Sequence, residues 1–282
     1  MIFYKKLAPF YYLGLFYFIV SFIVRVVLFF HPITQSSFSI AESLKIFVLG
    51  LISDFFVFVV ASFFLWLYLI FISNSKYNKS SGFIILGIFV LLFLYIASGR
   101  SILDEYGGAL PGIVLVFVGI KTVLFALLLF LPKHRDKIRF WLFAFVIFLY
   151  VLLILQNALS EYFFWNEFGV RYNFIAVNYL IYTNEVIGNI MESYPVIPLF
   201  SILFLITGAF TYFIQRKSRS YIDAIPTFKE KIKISALYIN LLIASLILIP
   251  ALALTENSKN VFVNELQSNG LYKFYLAFHN NS

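Results

Sequence analysis

The sequence contains no cysteine and only three histidines, and charged residues make up 12% of its 282 residues. Without cysteine, disulfide bonds and cysteine-ligated metal sites are excluded. No HExxH, P-loop or GxGxxG motif occurs, so the common zinc-protease and nucleotide-binding signatures are excluded as well. Soluble domains carry about a quarter of charged residues, so this composition is too poor in charge to cover a water-exposed surface.

Hydrophobic residues take the place of the missing charge. They make up 62% of the chain and include 37 Phe, more than a water-soluble fold of this length could bury. A bilayer accepts such side chains, and helices satisfy their own backbone hydrogen bonds within it. The predicted fold class is therefore an all-α integral membrane protein, a polytopic helical bundle.

The apolar residues fall into runs that match the thickness of a membrane. A helix needs about 20 apolar residues to cross the roughly 30 Å of hydrocarbon, and six runs reach that length. A seventh run, 83–97, is short, and either spans with help from its flanks or forms a re-entrant hairpin with 110–131. The sequence thus predicts seven spans, or five plus a hairpin. The runs are 7–30, 44–73, 83–97, 110–131, 140–159, 196–214 and 235–254.

Lysine and arginine alternate between the gaps that separate these runs, and this pattern accounts for the net charge of +8. The N-terminus and the gaps 74–82, 132–139 and 215–234 are basic, whereas the intervening gaps carry few cations. Because short cytoplasmic loops are enriched in Lys and Arg, we predict a cytoplasmic N-terminus and an extracytoplasmic C-terminus for either span count. Membrane lipids are the expected partners, and nucleic acid is not.

Three charged residues, Arg25, Asp54 and Lys121, lie inside the apolar runs. Charge at membrane depth is energetically expensive, so it is usually paired or functional. Arg25 and Asp54 lie at depths within reach of each other on consecutive antiparallel runs, which predicts an ion pair. Two interpretations remain open: a structural role, by pairing or by snorkelling of Arg25, or a functional role in an ion path or a headgroup contact.

The gap 160–195 is too polar to span a membrane and too aromatic to be a free loop. From Tyr172 to Ile190 its apolar residues recur at helical spacing, which predicts an amphipathic helix lying flat on the outer membrane face. Glu167 and Arg171 stand four residues apart and can pair. The helix either packs over the span ends or uses its polar face on a lipid headgroup or another domain. The candidate contact residues are Glu161, Glu167, Arg171, Asn173 and Glu185.

The same gap carries a resemblance to a known family. The stretch EYFFWNEFGVRYNFIAVNYLIYTNEVIGNIMESYPV resembles the membrane domain of the lipoteichoic acid synthase-like sulfatase family, in the alkaline phosphatase superfamily. The tail stretch NELQSNGLYKFYLAFHNN resembles the linker that enters the exported catalytic domain of that family. One departure is Asn178, where the family usually has Asp. The run pair 83–131 is an addition to the family's five-span arrangement.

The resemblance implies an enzyme that acts on phosphoglycerol- or phosphoethanolamine-bearing lipids in the bacterial cytoplasmic membrane. In that family a Thr or Ser nucleophile works on a divalent-metal site, with Mn²⁺ or Mg²⁺, in a domain that would follow the tail. We predict neither catalytic residues nor a cofactor for the chain itself. On this interpretation residues 1–255 are the transmembrane domain and 256–282 begin the linker of a truncated or split enzyme, so the predicted function is anchoring and lipid presentation.

Two alternative functions come from other classes. Arg25, Asp54 and Lys121 would suit a small transporter or a lipid flippase. The predicted outer amphipathic helix would suit a membrane scaffold that docks a partner protein.

Overall fold

The chain is helical, and membrane-length helices make up most of it. We describe a computed structural model, which covers residues 7–72, 74–106, 110–181, 191, 195–223 and 226–281. Seven of the helices in these ranges are long and apolar enough to cross a membrane, and the same ranges contain no strand. The prediction of an all-α polytopic bundle is confirmed. The helices are α1 Ala8–Phe29, α2 Ile40–Ala61, α3 Phe63–Ile70, α4 Lys79–Ala97, α5 Leu110–Phe130, α6 Arg135–Phe168, α7 Phe174–Ile181, α8 Val196–Asp223, α9 Phe228–Ala253, α10 Val261–Gln267 and α11 Gly270–Asn281.

Some predicted boundaries differ from the observed ones. The run 83–97 belongs to α4, which has 19 residues and is long enough to be one of the seven candidate spans. The run 44–73 is divided at Ser62, where α2 ends and α3 begins. The gap predicted at 160–195 begins too early, because α6 has 34 residues and continues to Phe168. The aromatic residues after Glu161 extend that helix rather than starting a loop.

The chain divides into two compact units, Ile70–Phe143 and the remainder, Met1–Leu69 with Ala144–Ser282. The smaller unit is a hairpin of α4 and α5. Its core contains Tyr77, Phe125 and Leu129. The Arg135 guanidinium lies over the Tyr77 ring, 5.2 Å from its centroid, and donates to the carbonyl oxygens at the end of α5. A cation there complements the negative end of the helix dipole.

In the larger unit, the start of α2 and the ends of α1, α6 and α9 lie at one end of the bundle. A capping box starts α2, in which Ser39 and Glu42 satisfy each other's backbone amides. Lys45 Nζ donates to the Thr255 carbonyl oxygen at 2.7 Å, which ties this start to the end of α9. The Trp165 indole nitrogen donates to Thr34 Oγ1 at 3.1 Å, which ties the end of α6 to the segment after α1.

The C-terminal segment folds back onto this end. Helix α10 packs against α2 and α1, and α11 packs against α7. Leu266 and Val263 of α10 are fully buried in one apolar core with Leu28, Ile46 and Trp165. The segment predicted as a linker is therefore part of the folded unit. That a further domain follows it stays a prediction.

We expect Leu266→Ala to loosen α10, because truncating a buried leucine destabilises a protein by about 2–5 kcal/mol. Val261→Ala is the matched control on the same helix, since Val261 is 60% exposed and Leu266 is fully buried. Thermal unfolding in detergent and limited proteolysis of the C-terminal segment would measure both variants. Equal effects of the two substitutions would contradict the burial of α10.

Candidate functional site

Arg25 of α1 and Asp54 of α2 form a buried, bidentate ion pair. The Nη1 and Nη2 atoms of Arg25 donate to the two carboxylate oxygens of Asp54, at 2.8 and 3.1 Å, and both residues are fully buried. This fork geometry is the stronger form of an arginine–carboxylate contact. The predicted pair between adjacent antiparallel helices is confirmed.

A glycine on α2 makes room for this pair. A Cβ atom at Gly50 would overlap the guanidinium carbon of Arg25. The side chain of Arg25 therefore lies directly against the backbone of α2. Any larger residue at position 50 would displace the guanidinium.

The remaining donors of Arg25 bind the C-terminal segment. Its Nε donates to the Leu266 carbonyl oxygen at 2.9 Å, and Nη2 also donates to the Ser268 carbonyl oxygen at 3.2 Å. These carbonyls lie at the break between α10 and α11, where the last turn of a helix leaves acceptors without partners in the helix. Asn269 completes the contact, because its Nδ2 donates to Asp54 Oδ1 at 2.7 Å and to the Tyr17 hydroxyl at 2.8 Å.

This contact was missed from the sequence. Gln267, Ser268 and Asn269 form a short polar interruption between two apolar stretches, directly before Gly270. That pattern indicates a helix break, but it does not show where the break lies in the fold.

A second buried ion pair joins Arg171 to Glu161. Arg171 Nη1 donates to Glu161 Oε2 at 2.5 Å, and the two residues are only 3% and 5% exposed. Arg171 also binds α10, because its Nε donates to the Glu265 carbonyl oxygen at 3.0 Å and its backbone nitrogen to Glu265 Oε2 at 2.8 Å. Gly270 leaves space for Glu161, since a Cβ at that position would overlap the carboxylate.

The predicted pair of Glu167 with Arg171 is wrong. Helix α6 ends at Phe168, and Gly169 has a φ of 65°, so the two residues are not on one continuous helix. The i,i+4 rule applies only within such a helix. Glu167 is exposed instead, and its carboxylate accepts from the Tyr179 hydroxyl at 3.5 Å.

Asn173 and Glu185, the remaining predicted contact residues, do not belong to the Arg171–Glu161 pair. Asn173 is half-buried, and its Oδ1 accepts from the Ile175 amide at 2.9 Å at the start of α7, so it has a local structural role. The predicted amphipathic helix corresponds to α7 up to Ile181. Its continuation to Ile190, with Glu185, lies outside the described residues.

A third ionic contact ties α11 to α10 and to the segment that follows α9. Lys273 Nζ lies 2.6 Å from Glu256 Oε2 and 3.2 Å from Glu265 Oε1. Burial alone would lower the pKa of Lys273, but the two carboxylates outweigh it and raise that pKa above its usual value. Lys273 therefore stays charged throughout the physiological pH range.

A small cavity is lined by Asp54 of the first ion pair and by both residues of the second. Arg171 Nη2, which makes no hydrogen bond to the described residues, belongs to a residue on its wall. The polar lining comes from Tyr17, Ser21, Asp54, Asn157, Glu161, Arg171 and Asn269.

The buried cluster, defined as Arg25, Asp54, Glu161, Arg171, Glu265 and Asn269, is polar without carrying a strong net charge. Its cations are bonded to its own carboxylates and to backbone oxygens of the C-terminal segment. No group of three or more His, Asp or Glu fit to hold a metal ion occurs in the described ranges. The cluster therefore holds α10 against the helices of the bundle through hydrogen bonds and ion pairs.

Lys121, the third intramembrane charge of the sequence, lies elsewhere. It is exposed in the middle of α5, in the smaller unit, and its Nζ lies 5.5 Å from the centroid of the Phe117 ring. Of the three predicted charges, the fold thus pairs two and leaves the third on the surface of α5.

We expect Asp54→Asn to destabilise the larger unit by about 3–5 kcal/mol, because it leaves Arg25 as a buried charge without a counter-ion. Arg25→Met/Asp54→Leu should recover part of that loss, though not all, since Arg25 also binds two backbone oxygens. Denaturant unfolding in detergent would measure these variants.

The control for this experiment is Asp136→Asn, which removes an exposed carboxylate 2.9 Å from Arg139. Exposed pairs contribute about 0–1 kcal/mol. A loss for Asp54→Asn no larger than for Asp136→Asn would contradict the role given to the buried pair.

Comparison of the chain with family models, curated proteins and solved structures finds no match.

Proposed function

We propose that this chain is the membrane-anchoring and lipid-presenting portion of a sulfatase-like transferase or hydrolase that acts on phosphoglycerol or phosphoethanolamine lipids. One observation carries the proposal. The two stretches that resemble the family, one from Glu161 and the other from Asn264, meet in the buried cluster, where Arg171 binds Glu161 and Glu265. The two stretches that resemble the family are thus in direct contact in the folded chain.

A membrane anchor has to hold its attached domain in a fixed position. The hydrogen bonds and ion pairs of the buried cluster, which hold α10 against the bundle, suit that task. The break between α10 and α11 is bonded to α1 and α2 through Arg25, Asp54 and Asn269. In the proposed enzyme the catalytic domain would follow α11, so it would leave the membrane from a defined point. Tethering would raise its local concentration at the lipid headgroups.

Lipid presentation is supported by aromatic side chains on the paired helices α7 and α11. Phe174, Tyr275 and Phe278 are 58%, 57% and 53% exposed. Of these, the amphipathic ring of Tyr275 favours the headgroup level of a membrane, and the two Phe rings add apolar surface beside it. In the proposal these rings lie at the exported surface, next to the substrate headgroups.

The carrier alternative finds less support in the buried cluster. A transported ion or headgroup needs a charged residue that can exchange its partners. Arg25 is fully buried, and its donors bind Asp54 and the oxygens of Leu266 and Ser268. Such a residue is committed to structure, which favours the anchor.

The proposal includes a cytoplasmic N-terminus and an exported C-terminus in the bacterial cytoplasmic membrane. The absence of native cysteine allows a direct test, because single cysteines can be introduced at the exposed positions Lys217 and Asn280. In intact cells a membrane-impermeant maleimide should label Asn280→Cys, and should label Lys217→Cys only after permeabilisation. The reverse pattern would overturn the orientation.

The anchoring role predicts where activity is found. The recombinant 282-residue chain in vesicles should release no headgroup from phosphatidylglycerol or phosphatidylethanolamine with Mn²⁺. Material captured from native membranes with an antibody to residues 256–281 should release it, and EDTA should abolish that release. Turnover by the recombinant chain alone, or none by the native material, would refute the proposal.

A further inference from the structure

Lys121 lies near the centre of a membrane-length helix. Helix α5 has 21 residues, which gives a length of about 31 Å, close to the thickness of the hydrocarbon core. Lys121 lies about 16 Å from Leu110 at one end and about 14 Å from Phe130 at the other. Its backbone is therefore as far from either headgroup layer as the helix allows.

The side chain cannot bring its charge to the membrane surface. Helical side chains point towards the N-terminus of their helix, and the ammonium of Lys121 lies 5.5 Å from the ring centroid of Phe117, one turn earlier. That displacement amounts to about 5 Å and leaves roughly 10 Å of apolar helix before Leu110. Snorkelling works for lysines near helix ends, and Lys121 is too deep for it.

None of the carboxylates in the described part of the chain pairs with Lys121 at this depth. Asp54 is the acidic residue within the apolar runs of the sequence, and it is bonded to Arg25. Glu161, near the end of α6, is bonded to Arg171. In the smaller unit, Asp104 lies beyond the end of α4 and Asp136 in the first turn of α6, so both are far from the middle of α5.

The surface around Lys121 is otherwise apolar and exposed. Leu110 and Phe117 lie on the same side of α5 as Lys121, and they are 42% and 59% exposed. Ile113 and Ile120 flank them, 63% and 56% exposed. Lipid tails satisfy the apolar residues of this surface and leave the ammonium without a counter-ion.

We propose that this face of α5, defined by Leu110, Phe117 and Lys121, docks a transmembrane helix of another polypeptide that carries a carboxylate at mid-membrane depth. Charge complementarity identifies the occupant. A second copy of the chain would bring another Lys121 to the same depth, because both copies insert in the same orientation, and like charges would repel. The inference is independent of the proposed anchoring function.

Pairing in the bilayer also has a physical reason. The ammonium is already removed from water once α5 is inserted, so binding a carboxylate adds attraction at low dielectric without a further loss of hydration by the lysine. Aromatic and aliphatic neighbours around the pair supply close packing, which drives helix association where no hydrophobic effect operates.

A defined peptide can test this proposal without knowledge of the natural partner. The full chain, labelled with a donor dye at Lys133→Cys, is reconstituted in phosphatidylcholine vesicles with acceptor-labelled leucine-rich transmembrane peptides. The peptides differ at their central residue, which is Asp, Asn or Leu. Energy transfer should be strongest with Asp, and the Leu peptide should associate at least about fivefold more weakly.

Protein variants separate charge from packing in the same assay. Lys121→Met should reduce association with the Asp peptide to the level of the Leu peptide, whereas Lys121→Arg should keep it. Lys137→Met, which removes a cation from a gap between apolar runs, is the matched control and should leave association unchanged.

Three outcomes would overturn the proposal. The first is equal transfer with the Asp and Leu peptides. The second is an unchanged association of the Lys121→Met variant with the Asp peptide. The third is a preference of the wild-type chain for vesicles containing phosphatidylglycerol that Lys121→Met removes while peptide association stays the same. That result would assign Lys121 to lipid phosphate instead.

Discussion

The bidentate bond between Arg25 and Asp54 is the interaction on which the arrangement at one end of the larger unit depends. Irregular backbone among membrane helices is tolerated only where protein groups satisfy it. The backbone at the break between α10 and α11 is irregular in this sense. Arg25 donates to two of its carbonyl oxygens, and Asp54 accepts from the side chain of Asn269. A buried ion pair adds little net stability over an apolar pair of similar shape, so its contribution lies in fixing which segment occupies this position.

The other two ionic contacts extend this principle to the rest of the C-terminal segment. Arg171, just beyond α6, holds α10 through Glu265, and Lys273 of α11 reaches back to Glu256 after α9. Arg171 thereby joins positions that are 94 residues apart, and both contacts hold one of the two short helices α10 and α11. The segment is therefore bonded to α1, to the turn after α6 and to the residues after α9, and in the proposed anchor these contacts would define where the chain leaves the bundle.

Sequence reasoning predicts the parts of this fold that follow from composition, periodicity and depth. The apolar runs give the membrane helices, and comparable depth on consecutive antiparallel runs gives the Arg25–Asp54 pair. The Glu167–Arg171 pair fails because local spacing assumes a continuous helix, and Gly169 with its positive φ ends that continuity. The docking of α10 could not be predicted, because Leu266 and Arg25 are 241 positions apart and no local pattern encodes such a contact.

Arg25 and Lys121 show how the same chemical problem is met in two ways. Both are cations within apolar helices, where an unpaired charge is strongly disfavoured. For Arg25 the chain provides an acid on the next helix, a glycine that makes room and backbone oxygens from α10. For Lys121 the described residues provide an aromatic face, which attracts a cation far more weakly than a carboxylate does at low dielectric. The difference points to Arg25 as a residue of the internal architecture and to Lys121 as one whose counterpart lies on another molecule.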